Sequence, residues 1–151
     1  MRVQDIMVND IATCAPDANL ESVAMMMWDN DCGIVPITDK HGKPLGIITD
    51  RDISIAAAMK HRQLSEISVS DVKDGQIVSC QPDQDVKNAL KMMRDTKIRR
   101  LPVVDRQGSL VGMLSMGDIV ANVTTNSNTT TPDNPTCEDI VSTLKAVYIH
   151  H

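Results

Sequence analysis

Leu101-Pro102-Val103-Val104-Asp105, followed by Gly112-Met113-Leu114-Ser115-Met116-Gly117-Asp118-Ile119, restates a passage already met at Val35-Pro36-Ile37-Thr38-Asp39 and Gly46-Ile47-Ile48-Thr49-Asp50-Arg51-Asp52-Ile53. The offset is 66 positions, and it holds outward without a gap from residue 3 to residue 53. Val3 falls on Val69, Cys14 on Cys80, Pro16 on Pro82 and Met26-Met27 on Met92-Met93. A repeat of this length is one supersecondary unit that needs its twin to bury an apolar face. Function is therefore expected at the seam between the copies, and twice.

Each copy reads as strand, helix, strand, strand, helix. Ile11-Ala12-Thr13-Cys14 and Ile77-Val78-Ser79-Cys80 predict short strands that Pro16-Asp17 and Pro82-Asp83 end. Asn19 and Asp85 are good N-caps for helices whose apolar residues recur at helical spacing, Leu20, Val23, Ala24, Met27 and Val86, Ala89, Leu90, Met93. A hairpin follows, with glycine in each turn (Gly42, Gly108) and proline in each first arm, which predicts an edge or irregular strand there. A second helix opens at Thr49-Asp50-Arg51-Asp52 and at Ser115-Met116-Gly117-Asp118. Residues 122–136 turn to Asn, Thr, Ser and Pro, a linker by composition. Beyond it, Thr136 caps an expected helix with Ile140, Val141, Leu144, Val147 and Tyr148 as one stripe, which docks on this domain, a second subunit or another protein.

Bulk properties narrow the function. The net charge of −5 argues against reading a nucleic-acid backbone. No apolar run could span a bilayer, and the first residues lack a signal peptide's apolar stretch, so a cytoplasmic location is expected. With ten Met, no Phe, one Trp and one Tyr, the core is aliphatic and Met-rich. Cys14, Cys32, Cys80 and Cys137 have no metal-ligand spacing, and no metal site is expected; Cys14 and Cys80 share one structural role. Asn122-Val123-Thr124 and Asn128-Thr129-Thr130 match the glycosylation pattern, which a cytoplasmic chain would not use. His150-His151 is either a tag remnant or a native end.

No nucleophile–base set, Walker loop or dinucleotide glycine motif is present, so a binding module is expected rather than an enzyme. The most specific local feature is hydroxyl-x-x-aspartate, Thr49 to Asp52 and Ser115 to Asp118, each where a strand becomes a helix. It has two readings. As a capping box it satisfies free N–H groups. As a site, a helix start attracts phosphate while a carboxylate accepts two ribose hydroxyls. The second feature is Lys97-Ile98-Arg99-Arg100, against Asp31-Cys32-Gly33-Ile34 in the first copy. Arg99 and Arg100 suit phosphate oxygens, or else form a solvated turn or pair with Asp95. Arg51 is a further candidate in the first copy alone.

These repeated arms and hydroxyl-x-x-Asp elements resemble the cystathionine-β-synthase (CBS) domain in tandem, over roughly residues 1–122. The resemblance implies an α+β fold, two βαββα units packed about a pseudo-twofold axis with two clefts. The expected divisions are 1–62, 63–122, a linker over 123–136 and a short amphipathic segment over 137–151. It implies a regulatory module that requires no cofactor and takes an adenosine-containing ligand in those clefts: AMP, ADP or ATP, with NAD or S-adenosylmethionine as further choices. Asp52 and Asp118 would hold ribose, Thr49 and Ser115 would meet phosphate with Arg99 and Arg100, and Pro102 and Ile11 would line the site. Homodimers and an unknown effector protein are the implied partners. The rival class is a ligand-free dimerisation scaffold whose C-terminal segment recruits a partner.

Overall fold

A computed structural model describes residues 1–73, 76–123 and 132–149 of the chain. The residues 124–131 within the expected linker, Thr124 and Asn128 of the glycosylation patterns, and the final histidines lie outside the described residues.

Helices start where the capping residues stand. Asn19 caps α1 (Leu20–Asp29) by accepting the Ser22 N–H, and Asp85 caps α3 (Val86–Thr96) by accepting that of Lys87. β1 (Ile34–Thr38) turns back through Asp39, whose Oδ1 accepts the His41 and Lys43 N–H groups at 2.8 and 3.0 Å, into β2 (Pro44–Thr49). The pair is antiparallel, with Pro36 opposite Ile47. β3 (Arg100–Val104) and β4 (Leu110–Ser115) form the second two-stranded sheet. Gly42 and Gly108 close the hairpins at φ 77° and 85°, a region glycine enters without steric cost. β2 runs directly into α2 (Asp50–Lys60) and β4 into α4 (Met116–Asn122). The C-terminal helix is α5 (Cys137–Tyr148). Among the described residues no helix is long and apolar enough to cross a membrane.

The leading strands expected at residues 11–14 and 77–80 are each reduced to one parallel bridge, Cys14 with Ile37 and Cys80 with Val103. Proline explains the reduction. The Cys14 N–H donates to the Pro36 carbonyl (3.0 Å) and the Thr38 N–H to the Cys14 carbonyl (2.9 Å); Cys80, Pro102 and Val104 repeat this geometry. In a parallel ladder the next rungs would need donors from residues 36 and 16, and both are proline; Pro102 and Pro82 act alike in the second copy. The prolines thus do more than mark an edge: they set the ladder's length.

The chain divides into two packed units whose membership crosses the repeat boundary. One unit comprises Asp10–Ile77 with Gly108–Leu110; the other comprises Met1–Asn9, Val78–Gln107 and the described residues from Val111 onward. In the first, Leu20, Val23, Val35 and Ile48 pack around Ile67 and Val69, all with no exposed surface. In the second, Val86, Met93, Leu101 and Leu114 pack around Val3, from the third residue of the chain. The hydrogen bonds match one for one. Val3, Gln4 and Val86 donate to the carbonyls of Gln84, Pro82 and Met1 at 2.9, 2.9 and 3.1 Å. Val69, Ser70 and Leu20 donate to those of Ala18, Pro16 and Ile67, each at 2.9 Å. The segment that opens each repeat therefore closes the core of the other.

α5 adds to the second unit by lying along α3, with Ile140 and Val147 buried and Leu144 half-buried. The docked stripe differs from the expected one at two positions, and Tyr148, like Val141, is 48% exposed. Val141 points outward at 48% exposure, and Thr143 is buried in its place, its hydroxyl donating to the Asp139 carbonyl at 2.8 Å.

The N-terminal segment extends beyond the Val3 plug. Val8 and Met113 exchange backbone bonds of 2.9 Å each, giving β4 a partner on its outer side. Gly112 permits that approach, since a Cβ there would stand 2.9 Å from the Val8 carbonyl oxygen. Its counterpart Gly46 would place a Cβ 3.6 Å from Ile37 Cδ1, an ordinary contact. Gly112→Ala is therefore expected to destabilise the protein by about 1–3 kcal/mol, and Gly46→Ala by much less. Urea denaturation of the two variants side by side checks this, and equal costs would show that the Val8 strand does not constrain Gly112.

Candidate functional site

Both hydroxyl-x-x-aspartate elements stand at the junction of a strand and a helix. Thr49 and Ser115 are the last residues of β2 and β4 and the N-caps of α2 and α4, with nearly identical extended backbones (φ −114° in both). The Asp52 carboxylate accepts the Thr49 N–H and hydroxyl through Oδ2, each at 2.9 Å, while the Asp52 N–H donates to Thr49 Oγ1 at 3.1 Å. Asp118 and Ser115 repeat the set at 2.8, 2.6 and 3.1 Å. The helix starts also receive a carbonyl from the preceding segment: Gly33 accepts the Asp50 N–H at 3.0 Å and Arg99 accepts that of Met116 at 2.9 Å. Of the two readings of this motif, capping is what the geometry displays. The hydrogen bonds that the two carboxylates accept among the described residues all fall on Oδ2, so capping leaves Oδ1 of each free to accept others.

The two copies then diverge. At α2 the Asp50 side chain accepts the Arg51 N–H at 2.8 Å, so the first turn is fully answered from within the chain. At α4 the equivalent donor is the Gly117 N–H, exposed and without a hydrogen-bond partner among the described residues. A second difference lies at the acid. Lys73 Nζ donates to Asp52 Oδ2 at 3.2 Å. The residue at the matching place in the second unit is Met7, 66 positions before Lys73. Burial alone would raise the Asp52 carboxyl. The bonds from the Thr49 backbone and hydroxyl, with the Lys73 ammonium, outweigh it and hold the group below the usual carboxylate range.

The remaining expected site residues fall in two places. Ile11 is half-buried in the same unit as Thr49 and Asp52. Arg99, Arg100 and Pro102 share the other unit with Ser115 and Asp118. Arg100 begins β3 half-buried, and Pro102 is buried with its carbonyl accepting from Cys80. Arg99 is exposed and engaged elsewhere: its Nη1 donates to the Tyr148 hydroxyl at 3.0 Å, and the guanidinium lies 5.9 Å from that ring's centre. Cys14 and Cys80 are buried, and burial pushes their thiols up to about 11, which leaves them unreactive near neutral pH.

Sequence reasoning missed Lys73 and the Arg99–Tyr148 contact. The signal for Lys73 is a break in the repeat, a lysine where its twin carries methionine. It missed also an open cleft of about 530 Å³ in the first unit, lined by Met27, Trp28, Asp31, Gly33, Asp50 and Ile53 among others. None of the eight expected ligand residues lines it.

Asp52→Asn removes the charge that Thr49 and Lys73 address and is expected to cost about 1–2 kcal/mol at neutral pH. Because the folded carboxyl is held low, the advantage of the wild type is complete above the unfolded value, about 3.9. It disappears as pH falls through the lower folded value. Denaturation midpoints of both proteins, compared at pH near 7 and near 2, should converge in acid; a constant gap would show that charge plays no part.

The comparisons agree with this arrangement. The family model described as "CBS domain" matches residues 3–58 and 69–125. The CBS domain-containing protein YhcV of Bacillus subtilis is 32% identical over 126 residues, covering 83% of this chain and 88% of its own. The CBS domain pair of protein MJ0100, solved with 5'-methylthioadenosine and S-adenosyl-L-methionine, aligns with a TM-score of 0.71 at 26% identity over 80% of this chain and 94% of that one. The CBS domain protein TA0289 of Thermoplasma acidophilum covers 97% of this chain and 75% of its own, with a TM-score of 0.77 at 20% identity, a likeness of fold. Other relatives are longer: the chain spans 60% of MK0525 of Methanopyrus kandleri and 23% of a homoserine O-acetyltransferase of Methanohalobium evestigatum. The twice-built strand–helix junction, its exchanged opening segments and the paired matches lead to one conclusion: this chain belongs to the CBS domain family.

Proposed function

We propose that this protein is a regulatory module that binds an adenosine-containing ligand at the start of α4, with the start of α2 as a second and weaker position. The observation that carries the reading is the carboxylate at each junction, held by its own cap through Oδ2 with Oδ1 left to accept ribose hydroxyls. Capping and binding then coexist on one side chain. The likeness to the MJ0100 domain pair, solved with two adenosyl compounds, supports the adenosine class.

Two features rank the positions. At α4 the unpartnered Gly117 N–H and the neighbouring Arg100 offer donors to an anion, which favours a phosphate-bearing nucleotide such as AMP, ADP or ATP. At α2 the Asp50 carboxylate occupies the equivalent N–H, and Gly33-Ile34 replaces the arginine pair. A nucleotide there would lose its phosphate contacts. Binding would act by population shift, favouring whichever arrangement of the chain holds the ligand tighter. No step of catalysis is part of this reading. The scaffold alternative is weakened by α5, whose apolar stripe is committed to α3 of its own chain.

Calorimetric titration of the full chain with AMP, ATP and 5'-methylthioadenosine tests the assignment. Arg100→Ala is expected to weaken the two nucleotides by about tenfold, some 1.4 kcal/mol, and to leave the phosphate-free thioether unchanged. Asp118→Ala should weaken all three. A lowered melting temperature with unchanged affinities would leave Asp118 as a cap alone. A ligand present at a hundred times its Kd should add about 2.7 kcal/mol to the wild-type stability.

A further inference from the structure

Arg99 has its backbone in one place and its guanidinium in another. Its carbonyl accepts the Met116 N–H at 2.9 Å, which fixes the residue beside Arg100 and against the first residue of α4. The guanidinium is turned to the end of α5. There Nη1 donates to the Tyr148 hydroxyl at 3.0 Å, and the ring centre lies 5.9 Å away. α5 as a whole sits on Arg94, Arg99 and the buried cluster of Met93 and Met116, the counterparts of residues that line the first unit's cleft. Neither Ser115 nor Asp118 has its counterpart in that lining. Tyr148 therefore holds the guanidinium away from the acid assigned to the ribose, and the side chain must leave one to serve the other. In the first unit Gly33 replaces Arg99, so no side chain there has this choice.

The ties along α5 are unequal. Towards its start, Lys87 Nζ donates to the Pro132 carbonyl and Arg94 Nη1 to Ser142 Oγ, while Ile140 and Thr143 are buried. In the last turn Val147 is buried, but Tyr148 and Ile149 are exposed and the polar tie is Arg99. That tie is weak, because the hydroxyl is a neutral acceptor and the cation–π contact is open to water. A phosphate offers the same guanidinium a two-pronged, charge-assisted bond, roughly twice as strong as a neutral one.

We propose that Tyr148 competes with the phosphate of a bound nucleotide for Arg99, which makes the last turn of α5 a latch that opens when the position beside Asp118 fills. This rests on the ligand reading given above. The coupling is reciprocal: a nucleotide loosens the turn, and loosening the turn strengthens nucleotide binding by the same factor. A ligand without phosphate leaves the latch shut. The start of α5 keeps its own ties, so the helix stays docked while its final turn frays.

Two measurements on the full chain test the latch. In calorimetric titrations, Tyr148→Ala is expected to tighten AMP and ATP about threefold, the worth of an exposed cation–π contact, and to leave 5'-methylthioadenosine unchanged. Tyr148→Phe, which keeps the ring, should tighten the nucleotides less. With Arg99→Ala already in place, Tyr148→Ala should change nothing. In hydrogen exchange, saturating AMP should speed exchange over residues 143–149 of the wild type but not over 137–142, and 5'-methylthioadenosine should speed neither. Nucleotide affinity unchanged or weakened by Tyr148→Ala, an equal gain for the thioether, a gain that persists without Arg99, or unaltered exchange at the end of α5 overturns the latch while leaving the ligand reading in place. Failure of all three ligands to bind either the wild type or Tyr148→Ala removes the ligand reading itself, and the latch with it.

Discussion

Two valines near the start of their repeats hold this protein together. Val3 and Val69 are both without exposed surface, and each is seated in a core built by the other repeat. A repeat of this size cannot enclose its apolar face with its own helices and a two-stranded sheet, whose outer edge gains only one bridge from within the repeat. The opening segment of the sister copy supplies the missing wall, with a backbone bond at each neighbouring residue. Neither copy has a complete core without the opening segment of the other: Val69 follows the first core directly in the chain, while Val3 serves a core whose remaining residues begin at Val78. Only the second core closes a long loop, joining Met1–Asn9 to the residues from Val78 onward, so the loop-entropy cost falls on that unit.

The rest of the architecture follows from that closure and from proline. Because Pro16 and Pro36 delete the rungs on either side of Cys14, the strand that leads each repeat contributes two hydrogen bonds and then departs. The chain is thereby released to turn into α1 under its Asn19 cap. The same four prolines in the same places explain why the copies keep one geometry at low identity outside the motif.

Local rules were legible in the sequence and partnership was not. Asn19, Asp85, Thr49, Ser115 and Thr136 all cap the helices expected of them, because a cap depends on atoms within three residues. The apolar run at residues 11–14 is genuine, but a ladder is a property of two strands, and the prolines at 16 and 36, one in each segment, remove its further rungs. The exchange of opening segments is invisible to a repeat comparison, since an offset of 66 maps Val3 onto Val69 whichever core receives them. Val141 and Thr143 traded places for a similar reason. The hydrophobic stripe gives a helix's inward direction only to within one residue, and α3 selects the final rotation. At the candidate site the motif was found, while its capping geometry and Lys73 required coordinates.

The informative positions are those where the repeat fails. Identical copies would give identical surfaces, and a molecule with a duty to perform at one of them must break the symmetry there. Methionine faces lysine at 7 and 73, glycine faces arginine at 33 and 99, aspartate faces methionine at 50 and 116, and tryptophan faces arginine at 28 and 94. Three of these four pairs lie on the α1–α2 cleft or its counterpart, and all three are changes in charge. In the second unit the cationic member recruits the chain's own helix through Ser142 and Tyr148. In the first unit the same surface loses its cations, gains a carboxylate at Asp50 and an exposed indole, and carries no such helix among the described residues.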